Sequence, residues 1–228
     1  MNQWMEWVLM KLLYLHTIIN PWYSNTDITI PMELFEYFAV TSKYIDRYED
    51  FEFTSEDTNS KLKAYAEANP YDANNKTAIT NFIKSKEGTV KEGSLHKAYY
   101  DAKGVLTIGY GYTGKINGKK IKIGDTITEA QATKYLEQEI TKAQNVIKDK
   151  VKVPLSQNMF DALTSFVYNV GSGNFGSSTL LKLLNKGDYI GASEEFKKWR
   201  RSGGKILPGL IARRKEEEDW FTKDTALA

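Results

Sequence analysis

The stretch from Lys97 to Thr113, KAYYDAKGVLTIGYGYT, constrains the fold more than any other part of the chain. β-Branched and aromatic residues flank the turn-forming Asp101-Ala102-Lys103-Gly104. The spacing predicts a β-hairpin, Ala98-Tyr99-Tyr100 running out and Val105 to Gly111 running back. Glycines at 104, 109 and 111 mark places where a side chain would block a bend or a close approach. The hairpin therefore carries an acid at its turn, Asp101, and a hydroxyl six residues on, Thr107.

Around it the patterning is mostly helical. Thr77 to Glu87 puts Ile79, Phe82 and Ile83 on one face, with Gly88 expected at the C-cap. Lys115 to Ile121 carries an Asn117-Gly118 hairpin signal. Thr128-Glu129-Ala130-Gln131 fits a capping box that starts a long helix, with Ala132, Tyr135, Leu136, Ile140, Ala143 and Ile147 inward. Ser156 is expected to cap a helix holding Met159, Phe160, Leu163, Phe166 and Val167. Further helices are expected over Ser178 to Asn185, from Asp188 through Trp199, and after Gly209, with Ser202-Gly203-Gly204 as a loop. Small sheet plus several helices means α+β.

The N-terminal part reads differently. Trp4 to Ile19 is apolar on nearly every face but interrupted by Glu6, Lys11 and His16. That is short of the roughly 20 apolar residues a membrane span needs. It is expected to be a buried or partner-docking helix, with a signal-anchor as the alternative. Pro31 to Tyr48 follows helical spacing, Glu49 to Asp57 reads as an acidic loop, and Lys61 to Ala68 as a short helix. Residues 1–73 are thus expected to form an N-terminal helical extension with a docking or export role, and 74–228 a second domain.

Composition narrows the chemistry. The chain has no cysteine and two histidines, His16 and His96, so disulfides, thiolate sites and multi-histidine metal centres are not expected. Neither metal nor organic cofactor is called for. Residues 1–70 hold five Lys/Arg against eleven Asp/Glu, a charge of −6, while the remainder holds 26 against 18, a charge of +8. A basic second domain suits an anionic partner such as an acidic polysaccharide. It carries no nucleic-acid recognition motif, so no nucleic-acid partner is expected.

Acid–base cleavage of a glycosidic bond needs one carboxylic acid at the leaving oxygen and a second carboxylate across the cleft. The hairpin offers Asp101 as the second carboxylate, with Thr107 to hold a water or orient the acid. The preceding helix should supply the first, and two Glu-Gly pairs compete, Glu87-Gly88 and Glu92-Gly93.

Residues 77–223 resemble the phage-type lysozymes. The resemblance rests on a helix ending in Glu-Gly, then Ala98-Tyr99-Tyr100-Asp101, then Gly104-Val105-Leu106-Thr107-Ile108-Gly109-Tyr110-Gly111. It continues through Gln157 to Leu163, Phe166 to Gly171, Ser178-Thr179-Leu180-Leu181 and Gly209-Leu210-Ile211-Ala212-Arg213-Arg214. It implies a lysozyme-like fold, a glutamate general acid, and Asp101 and Thr107 acting on the opposite face. Glu92 stands at the family's usual nine-residue interval from Asp101. Helix register favours Glu87: the positions four, five and eight before it are Ile83, Phe82 and Ile79, whereas those before Glu92 are Gly88, Glu87 and Lys84. About five extra loop residues would reconcile the two. Tyr112 stands where many relatives have histidine.

Asn169, Ser178, Thr179 and Arg213 are candidates to line a sugar cleft, with helix capping and an ion pair as their competing roles. Trp199 and Trp220 fall on apolar stripes and read as core. The implied activity is a muramidase cutting the N-acetylmuramic acid–N-acetylglucosamine bond of bacterial peptidoglycan. Such a protein is made in the host cytoplasm and acts at the cell wall, as a lysis enzyme or as a virion component. Residues 1–73 would then meet a virion or membrane partner. The alternative is a non-catalytic assembly or wall-binding protein that keeps the fold.

Overall fold

The computed structural model describes residues 55–101 and 104–226. The helices expected over Trp4–Ile19 and Pro31–Tyr48 lie outside the described residues.

Helix α1 spans Ser55–Ala68, starting inside the expected acidic loop. Leu62 and Ala66 on α1 are fully buried among the core side chains of the following domain. Asn59 on α1 also donates to Asp188 at 3.1 Å and accepts from the Ile190 N–H at 2.9 Å. Helix α1, which falls within the expected N-terminal extension, thus packs into the core of the residues that follow it.

Helix α2, Thr77–Lys86, buries Ile79 and Ile83. It ends on Glu87, an extended C-cap residue, and not on a left-handed Gly88. The five-residue excess after Glu87 is not a loop. It folds as a hairpin, β1 (Lys91–Glu92) and β2 (Leu95–Lys97), turned at Gly93 with φ +60°. Strand β2 also pairs with β7 (Thr126–Ile127) to make a three-stranded antiparallel sheet, with His96 opposite Ile127. Between them, β3 (Tyr99–Tyr100) pairs with β4 (Leu106–Thr107), and β5 (Lys115–Ile116) with β6 (Lys119–Lys120). The second pair turns through Asn117 and Gly118, both at positive φ, as the Asn-Gly signal requires.

Helix α3, Glu129–Lys150, begins with the full capping box of Thr128 and Gln131. Helix α4, Gln157–Val170, is capped by Ser156 and buries every residue from Met159 to Val167. Around it lie α5 (Ser172–Ser177), α6 (Thr179–Leu184), α7 (Tyr189–Glu194), a 3₁₀ turn over Glu195–Lys198, and α8 (Pro208–Phe221). Ser202-Gly203-Gly204 belongs to a further hairpin, β8 (Arg201–Ser202) and β9 (Lys205–Ile206). Helix α5 and this hairpin have no apolar periodicity, and both escape a pattern reading.

Two cores result. One gathers Ile79, Ile83, Ile108 and Ile127 with Leu136 and Ile140 of α3. The other gathers Phe160, Phe166, Leu184, Phe196 and Phe221 with Ala143 and Ile147 of the same helix. The apolar stripe of α3 thus serves both lobes in turn, and a cleft opens between them.

Candidate active site

Glu87 is set by the anchorage of α2. Its N–H donates to the Ile83 carbonyl at 3.0 Å, while Ile79 and Ile83 hold that face in the core and Phe82 meets Trp220 at 5.2 Å between ring centroids. The Glu87 side chain keeps 22% exposure. Its Oε1 accepts from Arg213 Nη1 at 2.8 Å.

Arg213 is not a surface residue. It is buried on α8, where Nε donates to Glu217 Oε1 at 3.1 Å and Nη2 to Ser165 Oγ at 3.2 Å. Ser165 in turn donates to Glu217 at 2.5 Å, and Arg214 Nη2 reaches the same oxygen at 3.0 Å. Two guanidiniums thus face two carboxylates, Glu87 and Glu217. The reading of Arg213 as a sugar contact gives way to a buried ion pair behind Glu87.

The opposite wall is the β3–β4 hairpin. Register places Tyr99 across from Thr107, and strand alternation returns Asp101 to the same face as Tyr99. Asp101 ties its own turn: its N–H donates to the Val105 carbonyl at 2.9 Å, and its Oδ1 accepts from the Val105 N–H at 2.8 Å. Gly104, at φ +74°, closes the bend. Thr107 is buried and donates to the Val105 carbonyl at 3.0 Å. Tyr99 donates to the Gly88 carbonyl at 3.0 Å, bringing hairpin and α2 terminus together. Burial first, then the Glu87 and Asp101 charges, raises the Tyr99 phenol pKa.

Glu87, Asp101 and Thr107 line one cleft of about 460 Å³, with Tyr99, Gly111, Glu139, Lys142, Tyr168, Asn169 and Ser172 among its other walls. Gly111 has φ +84°, and a Cβ there would stand 3.3 Å from the Tyr168 hydroxyl and 3.8 Å from Glu87 Oε2. A side chain at that position would be strained and would intrude on the acid.

The remaining candidates separate. Asn169 lines the cleft. Ser178 is buried as the α6 cap, accepting from the Leu181 N–H at 3.1 Å and donating to the Phe175 carbonyl at 2.7 Å, and Thr179 is exposed at the start of that helix. Neither is among the residues lining the cleft; Ser178 serves as the helix cap instead. Glu92 also lies off the cleft, exposed on β1 and paired with Lys97 at 2.8 Å. Tyr112 stacks on Tyr135 at 4.5 Å and donates to the Lys115 carbonyl at 3.1 Å. Tyr168 falls within the Phe166 to Gly171 resemblance but was given no role there, and Glu139 and Lys142 had no motif to announce them. Their only signal is position, beside the buried stripes of α3 and α4. Among the described residues no group of three or more His, Asp or Glu is arranged to hold a metal ion.

A two-lobed α+β fold with a helix-end glutamate and a hairpin aspartate facing one cleft between the lobes is the arrangement of a lysozyme-like protein. Residues 89–217 match the family model for phage lysozyme. The chain belongs to the phage lysozyme family and is a peptidoglycan-cleaving muramidase. It is 46% identical over 134 residues to an endolysin of Acyrthosiphon pisum secondary endosymbiont phage 1, covering 57% of this chain and 88% of that one. To the endolysin of Salmonella phage P22 it is 38% identical over 131 residues, 58% of this chain and 89% of that one. Among solved structures, the endolysin from Escherichia coli O157:H7 phage FAHEc1 matches with a TM-score of 0.57 and 36% identity, over 64% of this chain and 90% of that one.

Proposed function

We propose that Glu87 is the general acid of this muramidase, and that Asp101 and Thr107 serve the opposite face of the substrate. Glu87 gives its proton to the glycosidic oxygen as the bond to the anomeric carbon breaks. Water held between Asp101 and Thr107 adds to that carbon, and Asp101 takes the proton the water loses. Arg213 fixes the rotamer of Glu87 through Oε1, leaving Oε2 on the Gly111 side of the cleft. Asn169 supplies a polar contact to the sugars. The observation that carries this reading is the convergence of Glu87, from the end of α2, and of Asp101 and Thr107, from the β3–β4 hairpin, on one cleft.

Glu87→Gln is expected to lose at least about a hundredfold in the clearing of purified cell wall, the usual scale for removing an acid catalyst. Its melting temperature should stay near that of the parent. Glu92→Gln should clear wall at the parent rate. An active Glu87→Gln beside an inactive Glu92→Gln would reverse the assignment. Asp101→Asn should be comparably severe, and a near-normal rate there would sink the two-carboxylate mechanism.

The docking segment in this reading lies within residues 1–73, acidic and rich in aromatics, with a virion or membrane partner. Copurification with intact virions or with inner membrane, compared between the full chain and one with that segment replaced by a neutral linker, separates the two.

A further inference from the structure

Among the described residues lining the cleft, Lys142 is the one cation, set against the carboxylates of Glu87, Asp101 and Glu139. Glu87 is matched from behind by buried Arg213. Lys142 instead stands at the open side, where its Nζ donates to Glu139 Oε1 at 2.7 Å, one turn earlier on α3. The Lys142 side chain is 71% exposed and that of Glu139 31%. A pair so open to water contributes little to stability, so exchanging one carboxylate for another costs little. Glu139 and the nearby Tyr112 raise the Lys142 pKa, which keeps the ammonium charged. Asn169 and Ser172, lining the same cleft, add polar contacts, and Ala143 and Val146 add a short apolar wall.

The substrate carries its charge in a particular place. The glycan strand of peptidoglycan is built of uncharged sugars whose lactyl groups bear short peptides with free carboxylates. A cleft that holds the strand between Glu87 and Asp101 has to put those peptides at its margin. We propose that Lys142 binds a carboxylate of the stem peptide, while Glu139 keeps the ammonium turned into the cleft until that carboxylate takes its place. This rests on the muramidase reading and makes Lys142 a specificity residue, not a catalytic one. It also gives Glu139 a purpose: a fixed carboxylate in the groove disfavours anionic ligands that cannot engage Lys142.

The test uses the full chain on purified peptidoglycan, untreated and with its carboxylates amidated by carbodiimide and ammonia. On untreated wall Lys142→Met should raise the apparent KM roughly two- to fivefold with kcat kept, the scale of an exposed ion pair. That difference should shrink with added salt. On amidated wall Lys142→Met and the parent should have the same KM. Glu139→Gln should lower KM on untreated wall by removing the competing carboxylate. Equal KM values for Lys142→Met and parent on untreated wall would overturn the proposal, as would an equal loss on both walls. A parent protein that cuts neither wall would overturn the muramidase reading, and this proposal with it.

Discussion

Asp161 is a residue whose cost is visible in its surroundings. It lies buried on α4, and Gln157 Nε2 donates to its Oδ1 at 3.0 Å. Burial pushes its carboxyl up from 3.8 to about 7, against the smaller downward pull of Gln157. The folded chain therefore keeps a proton that the unfolded chain releases between pH ~4 and ~7, and the stability this proton supplies is lost as pH rises through that window. Asp161→Asn should match the parent near pH 4 and melt several degrees higher at pH 8, at about 2–4 °C per kcal/mol for a chain of this size. Thermal unfolding at both pH values checks this, and an unchanged gap between them would refute it. Arg213 shows the opposite case. Its charge is buried but fully used, and Arg213→Met would strand Glu217 without one of its two cations, at about 3–5 kcal/mol for a broken buried pair. Chemical denaturation measures that loss.

At the scale of elements, the N-terminus of α3 fixes the sheet side of the site. Thr128 Oγ1 accepts from the Gln131 N–H at 3.2 Å, and Gln131 Oε1 accepts from the Thr128 N–H at 2.9 Å. The next residue, Glu129, accepts from Tyr110 at 2.7 Å, His96 Nε2 at 2.7 Å and Lys84 at 2.9 Å. The Tyr110 hydroxyl foremost, then His96 and Lys84, holds its carboxyl well below the usual range despite partial burial. The other ring nitrogen of His96, Nδ1, is hydrogen-bonded to the Thr89 hydroxyl at 2.6 Å. This ties α2, β2 and α3 to one carboxylate, and Tyr110 connects it to the strand end near Gly111. Thr128→Ala should cost about 1 kcal/mol of stability in denaturant melts, a normal cap loss, with wall clearing reduced little. The capping box was legible because it is a local device, complete within four residues. The Glu129 network was not, since its members come from five separate places in the chain.

At the largest scale, the described residues form two cores strung on α3, with α4 at the centre of the larger one and α1 packed into it. Leu62 is fully buried against that core, so Leu62→Ala should cost about 2–5 kcal/mol, read as a drop in the denaturant midpoint. A loss under about 0.5 kcal/mol, the range of surface substitutions, would mean that α1 is not part of the folded unit. The 3₁₀ turn over Lys223–Ala226 is tied in as well, through Asp224, which accepts from Asn158 at 2.6 Å and from Ser156. By itself the sequence determined what depends on neighbours along the chain. The α+β class, the caps at Thr128 and Ser156, the hairpin bearing Asp101 and Thr107, and the apolar register that anchors the helix before Glu87 were all readable there. Only the tertiary structure decided what depends on residues far apart in sequence. It built α1 into the core, turned the extra residues around Glu92 into a strand of the sheet, moved Ser178 and Thr179 off the cleft, and buried Arg213 behind Glu87. The reason is physical: periodicity records which face of an element is apolar, whereas a cleft is defined by which elements fail to touch.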